Sequence, residues 1–323
     1  MDASKMQNVK VRGRELTCEL KNFPVTFVNG LRRTMLSGIP KVVIRDVQIL
    51  ANTTQVPYEM LKHRVEMLPI NVHPSDHTTI KEAKIELRLT TIAEPRNVTT
   101  DEFVVESGRE SILMKDPDFG DPILFLKVRA GEAVHIVGRL AVETEGVTHA
   151  CCVSTSWHVD PERMKLDRKT HVDSGGDEKL FDNFLYQKSY SRDDLGRPNH
   201  FDVIVETIGV LPSKEILRLG AQILRIKSQE YLVAALKNIT REKDVGTYSI
   251  TLDFGGHTIG ALFQEVIYKS KDTEFVAYDI PHPLMPAMVL KFHTSKPPEE
   301  VLNSAAKRIE EYCSLVENND GAS

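Results

Sequence analysis

Cysteine is scarce in this chain. Cys18, Cys151, Cys152 and Cys313 are the full set, and none forms a CxxC pair. This excludes a zinc knuckle and a disulfide framework, and it points to a reducing compartment. No apolar run approaches the roughly 20 residues that cross a bilayer. The opening residues, MDASKMQNVKV, lack the apolar core of a signal peptide. A soluble, intracellular protein is therefore expected. A basic excess is missing as well: 41 Lys and Arg stand against 46 Asp and Glu, for a net charge of −5. Free-standing nucleic-acid binders usually carry the opposite balance, so direct duplex binding by the whole chain is disfavoured.

What is present suits an ordinary globular protein. Hydrophobic residues make up 41% of the 323, enough for two or three domains with real cores. The most structured stretch is Pro24 to Pro40, PVTFVNGLRRTMLSGIP. Thr26 is placed to cap a helix, Gly38 to end it left-handed, and Pro40 to stop it. Phe27, Val28, Leu31 and Met35 form one apolar stripe at helical spacing. Arg32 and Arg33 fall largely on the other side, about 100° apart. A second stretch, His257 to Ile267, has the same build. Ile259, Leu262, Phe263 and Val266 carry its stripe, with His257 or Thr258 as cap.

The remaining elements frame these two helices. Residues around Val9 to Leu20 read as a strand pair, and Lys41 to Leu50 as a further strand. Val56 to Ile70 reads as a helix. Alternation at Ile85, Leu87 and Leu89, strands at Ile123 to Val128 and His135 to Val142, and a candidate strand at Thr148 to Trp157 make 53–157 mainly β. His158 to His200 is polar and reads as a long loop, with Phe181, Phe184, Leu185 and Tyr186 as its apolar handle. Pro212 to Lys237 is the longest helical pattern, its stripe running through Ile216, Leu219, Ile223 and Ile226 and widened by Leu217, Leu224 and Tyr231. Asn238 to Gly246 is a charged connector. Strands at Tyr248 to Leu252, Phe275 to Ile280 and Met288 to Phe292 follow, then a last helix opened by Pro297-Pro298-Glu299-Glu300.

Both ends thus share one order: strand, short helix, strand and, later, a longer helix. The expected fold is α+β, with two dimerisation half-domains fused in one chain and the first split by a mainly β insert. The boundaries are 1–52 with 198–241, the insert 53–197 with its polar loop 158–197, the second half 242–316, and a disordered tail 317–323.

At these residues the chain resembles a known family. Phe27-Val28-Asn29-Gly30-Leu31-Arg32-Arg33 through Ile39-Pro40 is similar to the N-terminal motif of the alpha-type assembly subunits of cellular RNA polymerases: bacterial alpha, the archaeal D subunit and the eukaryotic third subunit. His63-Arg64 with Met67-Leu68-Pro69-Ile70 resembles the head of their insert domain. Ala130-Gly131-Glu132 and His149-Ala150 match its turn and His-Ala pair, and Phe201 to Leu236 its closing strand and long helix. His257-Thr258-Ile259-Gly260 and Tyr278 to Leu284 resemble the smaller partner, the archaeal L or eukaryotic eleventh subunit.

In that family the two partners are separate chains; here they are fused, the larger first. The resemblance implies a noncatalytic assembly platform of a DNA-directed RNA polymerase, active in transcription. Its partners would be the largest and second-largest subunits and small zinc-binding subunits, with DNA met only through the complex and no membrane contact. It assigns Arg32, Arg33, His63 and Arg64 to the second-largest subunit. Phe27, Val28, Leu31, Met35, Ile223, Ile259, Leu262, Phe263 and Val266 would form the seam between halves. It implies no catalytic residue, metal or cofactor. Fusion suggests a large DNA virus, hence host cytoplasm or virion, and otherwise a nucleus. Three departures stand out. Glu66 replaces a usual Gly, Cys151-Cys152 follow His149-Ala150, and the metal-binding cysteines of some relatives are missing. The other readings are an enzyme on a phosphorylated or acyl substrate using His257 or Cys152, and a nonpolymerase dimerisation scaffold.

Overall fold

The structure is a computed structural model, and it describes residues 4–90, 92–106, 112–145, 148–193 and 196–318. The chain opens with β1 (Lys5–Arg12), β2 (Glu15–Lys21), α1 (Val25–Ser37) and β3 (Lys41–Asn52). Then come α2 (Tyr58–Glu66), α3 (His77–Glu82), β4 (Lys84–Leu89), β5 (Arg96–Thr99), β6 (Val104–Glu106), β7 (Leu124–Val128), β8 (Val134–Glu143) and β9 (Cys151–Trp157). After them lie α4 (Pro161–Asp173), the one-turn α5 (Glu178–Leu180), β10 (His200–Thr207) and α6 (Ser213–Lys237). The last part holds β11 (Ile239–Arg241), β12 (Thr247–Leu252), α7 (Gly256–Tyr268), β13 (Thr273–Asp279), β14 (Met288–Thr294) and α8 (Pro298–Glu317).

The chain divides into two compact units. The first comprises 1–35, 153–205 and 214–323, and the second 36–152 with 206–213. The first unit is built on two four-stranded sheets, ordered β1-β2-β10-β9 and β11-β12-β14-β13. In β2 the core side takes Leu16, Cys18 and Leu20, while Thr17, Glu19 and Lys21 lie on the other face, as alternation requires. The β1–β2 register shifts between Gln7 and Lys10, where Asn8 has φ 54°.

The second unit holds the order β3-β8-β4-β6 and the pair β5-β7. Its core joins Ile44, Leu61, Val65, Leu87, Phe125 and Ile136 among others. Burying each such side chain is worth about 1.5–3 kcal/mol. The strands flanking Ala130-Gly131-Glu132 pair with different partners, β7 with β5 and β8 with β3 and β4, so they do not form a hairpin.

Several sequence expectations are corrected. The segment 158–200 is largely ordered. Asp160 accepts from the backbone N–H groups of Glu162 and Arg163, and Pro161 starts α4 behind that cap. No residue of α4 is buried, so no apolar period announced it. Of its apolar handle only Phe181 is buried, while Phe184 is exposed. The connector after α6 contributes β11, which pairs with β12. In α6 the buried side is Ile216, Leu217, Ala221, Leu224, Tyr231 and Ala235, with Ile226 exposed and Leu219 half-buried. Ile216 of the expected line is inside, but further along Leu224 and Ser228 take the inward positions in place of Ile223 and Ile226. Glu317 ends α8 and pairs with Arg225, at 2.8 Å from its Nε. The rest of the expected tail, 319–323, lies outside the described residues.

Candidate functional site

In the first unit α1 packs against elements from both ends of the sequence. Phe27 lies 5.2 Å from Phe23 and 5.4 Å from Tyr312 of α8, ring centre to ring centre. Such aromatic contacts add about 0.5–1.5 kcal/mol beyond area burial. Gly30 of α1 faces both neighbours: a Cβ there would make ordinary contacts, 3.5 Å from Thr258 of α7 and 3.7 Å from Leu224 of α6. At Gly220 of α6 a Cβ would overlap Met35 Cγ, so that crossing needs glycine. Tyr231 of α6 packs on Phe263 of α7 at 4.7 Å. Phe27, Val28, Leu31, Met35, Ile259, Leu262, Phe263 and Val266 are all buried. Ile223 is only half-buried, and Leu224 beside it takes the inward position.

The start of α1 carries a feature the sequence hid. The helix begins at Val25, so Thr26 sits in its first turn and is not the cap. Its backbone N–H and its hydroxyl both donate to Glu265 Oε2 of α7, at 3.2 and 2.6 Å. A carboxylate from one end of the chain thus caps a helix at the other, where the macrodipole favours negative charge. Glu265 is 5% exposed and also meets Arg197 Nη1 at 3.5 Å and Lys269 Nζ at 3.3 Å. In the sequence Glu265 stands between Phe263 and Val266 of the α7 stripe and carries no local signal of this role.

At the far end of α1, Gly38 is not among the glycines with positive φ, so the left-handed cap is absent. His149 Nδ1 lies 2.9 Å from the Leu36 carbonyl in the second unit, satisfying a last-turn acceptor instead. In α7 the cap is Gly255 at φ 100°, two residues before His257 and three before Thr258, the expected caps. His257 Nδ1 lies 3.3 Å from the Tyr278 hydroxyl.

The basic residues fall in both units. On α1, Arg32 is half-buried and donates to Asn29 Oδ1 from Nε and Nη2, at 3.2 and 2.9 Å, while Arg33 is exposed. His63 and Arg64 are exposed on α2 of the second unit. Glu66, which departs from the family pattern, has a partner: Arg45 reaches it at 3.2 Å and binds Glu143 through Nε at 2.6 Å. That fork holds the Glu143 carboxyl below the usual range, through its hydrogen bonds with Arg45 and despite desolvation. Motif residues Pro40, Pro69, Ile70, His149 and Ala150 line one small, mostly apolar cavity in this unit.

Cys151 is buried and Cys152 exposed, on opposite faces of β9. Burial pushes Cys151 up to about 12, and the same cause pushes Cys18 and Cys313 to about 12. Such thiols are poor nucleophiles at neutral pH. Sequence reasoning also missed Glu19, which accepts from Gln7 Nε2 and Asn8 Nδ2 at 2.9 and 2.7 Å. Burial alone would raise that carboxyl, but these hydrogen bonds and one with His200 bring it below its ordinary value.

Comparison with known proteins fits this arrangement. The family described as the RNA polymerase Rpb3/Rpb11 dimerisation domain matches twice, over residues 17–228 and 247–319. The DNA-directed RNA polymerase subunit Rpo3 of Methanocaldococcus jannaschii is 24% identical over 220 residues, covering 68% of this chain and 90% of that protein. Subunit RPAC1 of RNA polymerases I and III of Saccharomyces cerevisiae is 24% identical over 285 residues, covering 68% of this chain and 83% of its own. Subunit RPB3 of RNA polymerase II of Schizosaccharomyces pombe is 22% identical over 265 residues, covering 69% and 83%. No helix among the described residues is long and apolar enough to cross a membrane. The seam between α1, α6, α7 and α8 joins the two matched regions, and this chain belongs to the RNA polymerase Rpb3/Rpb11 dimerisation-domain family as an alpha-like subunit carrying that domain twice.

Proposed function

We propose that this chain is a noncatalytic assembly platform of a DNA-directed RNA polymerase. Its two halves pair within one chain, and its exposed basic positions recruit the second-largest subunit. The observation that carries this reading is the division of α1: an apolar side buried against α6, α7 and α8, and a basic side with Arg33 exposed. Guanidinium suits bidentate pairing with a partner carboxylate, and arginine is enriched among interface hot spots. Arg32, His63 and Arg64 extend the same role. The largest subunit meets the second half, small zinc-binding subunits dock nearby, and DNA is reached only through the complex.

Fusion supports pairing in one chain. Two free partners lose about 4–15 kcal/mol of translational and rotational freedom on association, and a tether removes most of that cost. Here the tether is short and partly strand, since β11 lies directly after α6. The engagement of His257 with Tyr278 favours a structural over a catalytic role for that histidine.

The test is recovery of large polymerase subunits on the tagged full-length chain, with and without Arg33→Ala. The variant is expected to fold normally and to lose about tenfold in affinity for the second-largest subunit, the equivalent of about 1.4 kcal/mol. Unchanged recovery refutes the Arg33 contact. Failure of the unaltered chain to recover either large subunit refutes the platform.

A further inference from the structure

Three potential metal donors meet on the first sheet of the first unit. Glu19 of β2, His158 just after β9 and His200 at the start of β10 bring one ligand atom each within 4.8 Å of one another. They are brought together by three adjacent strands, His158 directly following β9, because the sheet order runs β2-β10-β9. The alternation of β2 and β10 puts Glu19 and His200 on the face away from Leu16, Cys18, Leu20, Phe201 and Val203. His158 is held to that register by its backbone N–H, which donates to the His200 carbonyl at 3.0 Å. The two imidazoles stack at 4.0 Å between centres.

Each donor is oriented by a further contact. Asp202 Oδ1 lies 2.8 Å from His158 Nδ1, the arrangement that fixes the tautomer and aims Nε2 in histidine–metal sites. Glu19 is held by the side chains of Gln7 and Asn8 together. Consecutive strand residues normally face opposite ways, and here the β1 irregularity with Asn8 at φ 54° turns both amides onto one carboxylate. His200 Nε2 stands 3.1 Å from Glu19 Oε2. Two ligands on a tetrahedral zinc ion, at about 2.0–2.1 Å each, are about 3.3 Å apart. That pair therefore already has the spacing of a shared ion, and the widest pair closes by about 1.5 Å at most.

We propose that Glu19, His158 and His200 form a divalent transition-metal site of the His2Glu type, with zinc as the ion that donor set fits best. The carboxylate and two imidazoles leave a coordination position for water, and the part-exposure of Glu19 and His158 provides access. The site lies at the neck of the 158–200 excursion, since two ligands are its first and last residues. A bound ion clips that neck to β2. It closes a long loop covalently in all but name, which is where such a clip stabilises most.

The test uses the full-length chain, stripped with chelator and dialysed against zinc, with bound metal counted by mass spectrometry. Cobalt titration, followed by visible absorption, reports the ligand set. One ion per chain is expected, with a rise in Tm that chelator reverses and slower proteolysis within 158–200. Glu19→Gln and His158→Gln, both at part-exposed positions, should abolish uptake and the cobalt spectrum while circular dichroism stays unchanged. Asp202→Asn should weaken binding about 10–100-fold. His282→Gln, an exposed histidine outside the cluster, should leave binding intact. Absence of stoichiometric zinc or cobalt uptake overturns the site, and so does uptake that survives His158→Gln.

Discussion

The two short helices α1 and α7 have the same length, 13 residues, and the same sequence build, yet the fold uses them differently. In α7 the buried set runs Ile259, Gly260, Leu262, Phe263, Glu265, Val266 and Ile267, so that little of its surface is left open. In α1 the buried set is Phe27, Val28, Gly30, Leu31, Thr34 and Met35, which leaves Arg33 and Asn29 outside. One helix is spent on the seam, and the other holds the seam on one side and offers charge on its opposite side. Duplicated elements within one chain need not duplicate a function.

The largest test of this comparison lies in the shared apolar faces. Phe27 and Phe263 are both fully buried. Phe27→Ala and Phe263→Ala should each lower unfolding stability by about 3–5 kcal/mol in urea melts. If Phe27→Ala costs much less than its counterpart, α1 is an appended helix and not an equal member of the seam.

A smaller effect separates the glycines. Gly220→Ala drives a methyl into Met35, itself buried, and should cost about 1–3 kcal/mol despite better helix propensity. Gly30→Ala meets only ordinary contacts and gains about 1 kcal/mol of propensity, so its stability should hold or rise. The reverse order in denaturant midpoint would mean that α1 crosses α6 at a different point.

The smallest effect concerns thiols. At pH 8 a disulfide reagent should modify Cys152 quickly and leave Cys18, Cys151 and Cys313 untouched until unfolding. Their buried forms ionise only near 12, against an ordinary value of 9.0, so the unfolded chain releases those protons first. Their contribution to stability is therefore complete below about 9 and is lost as pH rises from there towards 12. Rapid native labelling of Cys313 would show that the seam around it opens.

Legibility followed the strength of each local pattern. The stripes of α1, α7 and α8 could be read because a single buried side repeats at helical spacing. In α6 two apolar lines, through Ile223 and through Leu224, run side by side, and only contacts from α1 and α7 choose between them. Helix α4 packs no residue into a core, so its cap and proline were its only signals. Thr26 and Glu265 are separated by 239 positions, and no local rule joins a helix start to an acid so far away. The metal cluster was hidden for the same reason: Glu19, His158 and His200 share a strand neighbourhood and no sequence spacing.

The bond between Thr26 and Glu265 also sets a clock. The ribosome adds about 5–20 residues per second, so the acceptor follows its helix by about 10–50 s. Throughout that interval the nascent α1 has neither its carboxylate cap nor the aromatic cover of Tyr312, while its apolar side is already made. A chain interrupted before α7 would keep a sticky helix that nothing in its own sequence can finish. Joining both halves in one reading frame fixes their stoichiometry at one to one, and it places completion of the first half under the control of the last part to be made.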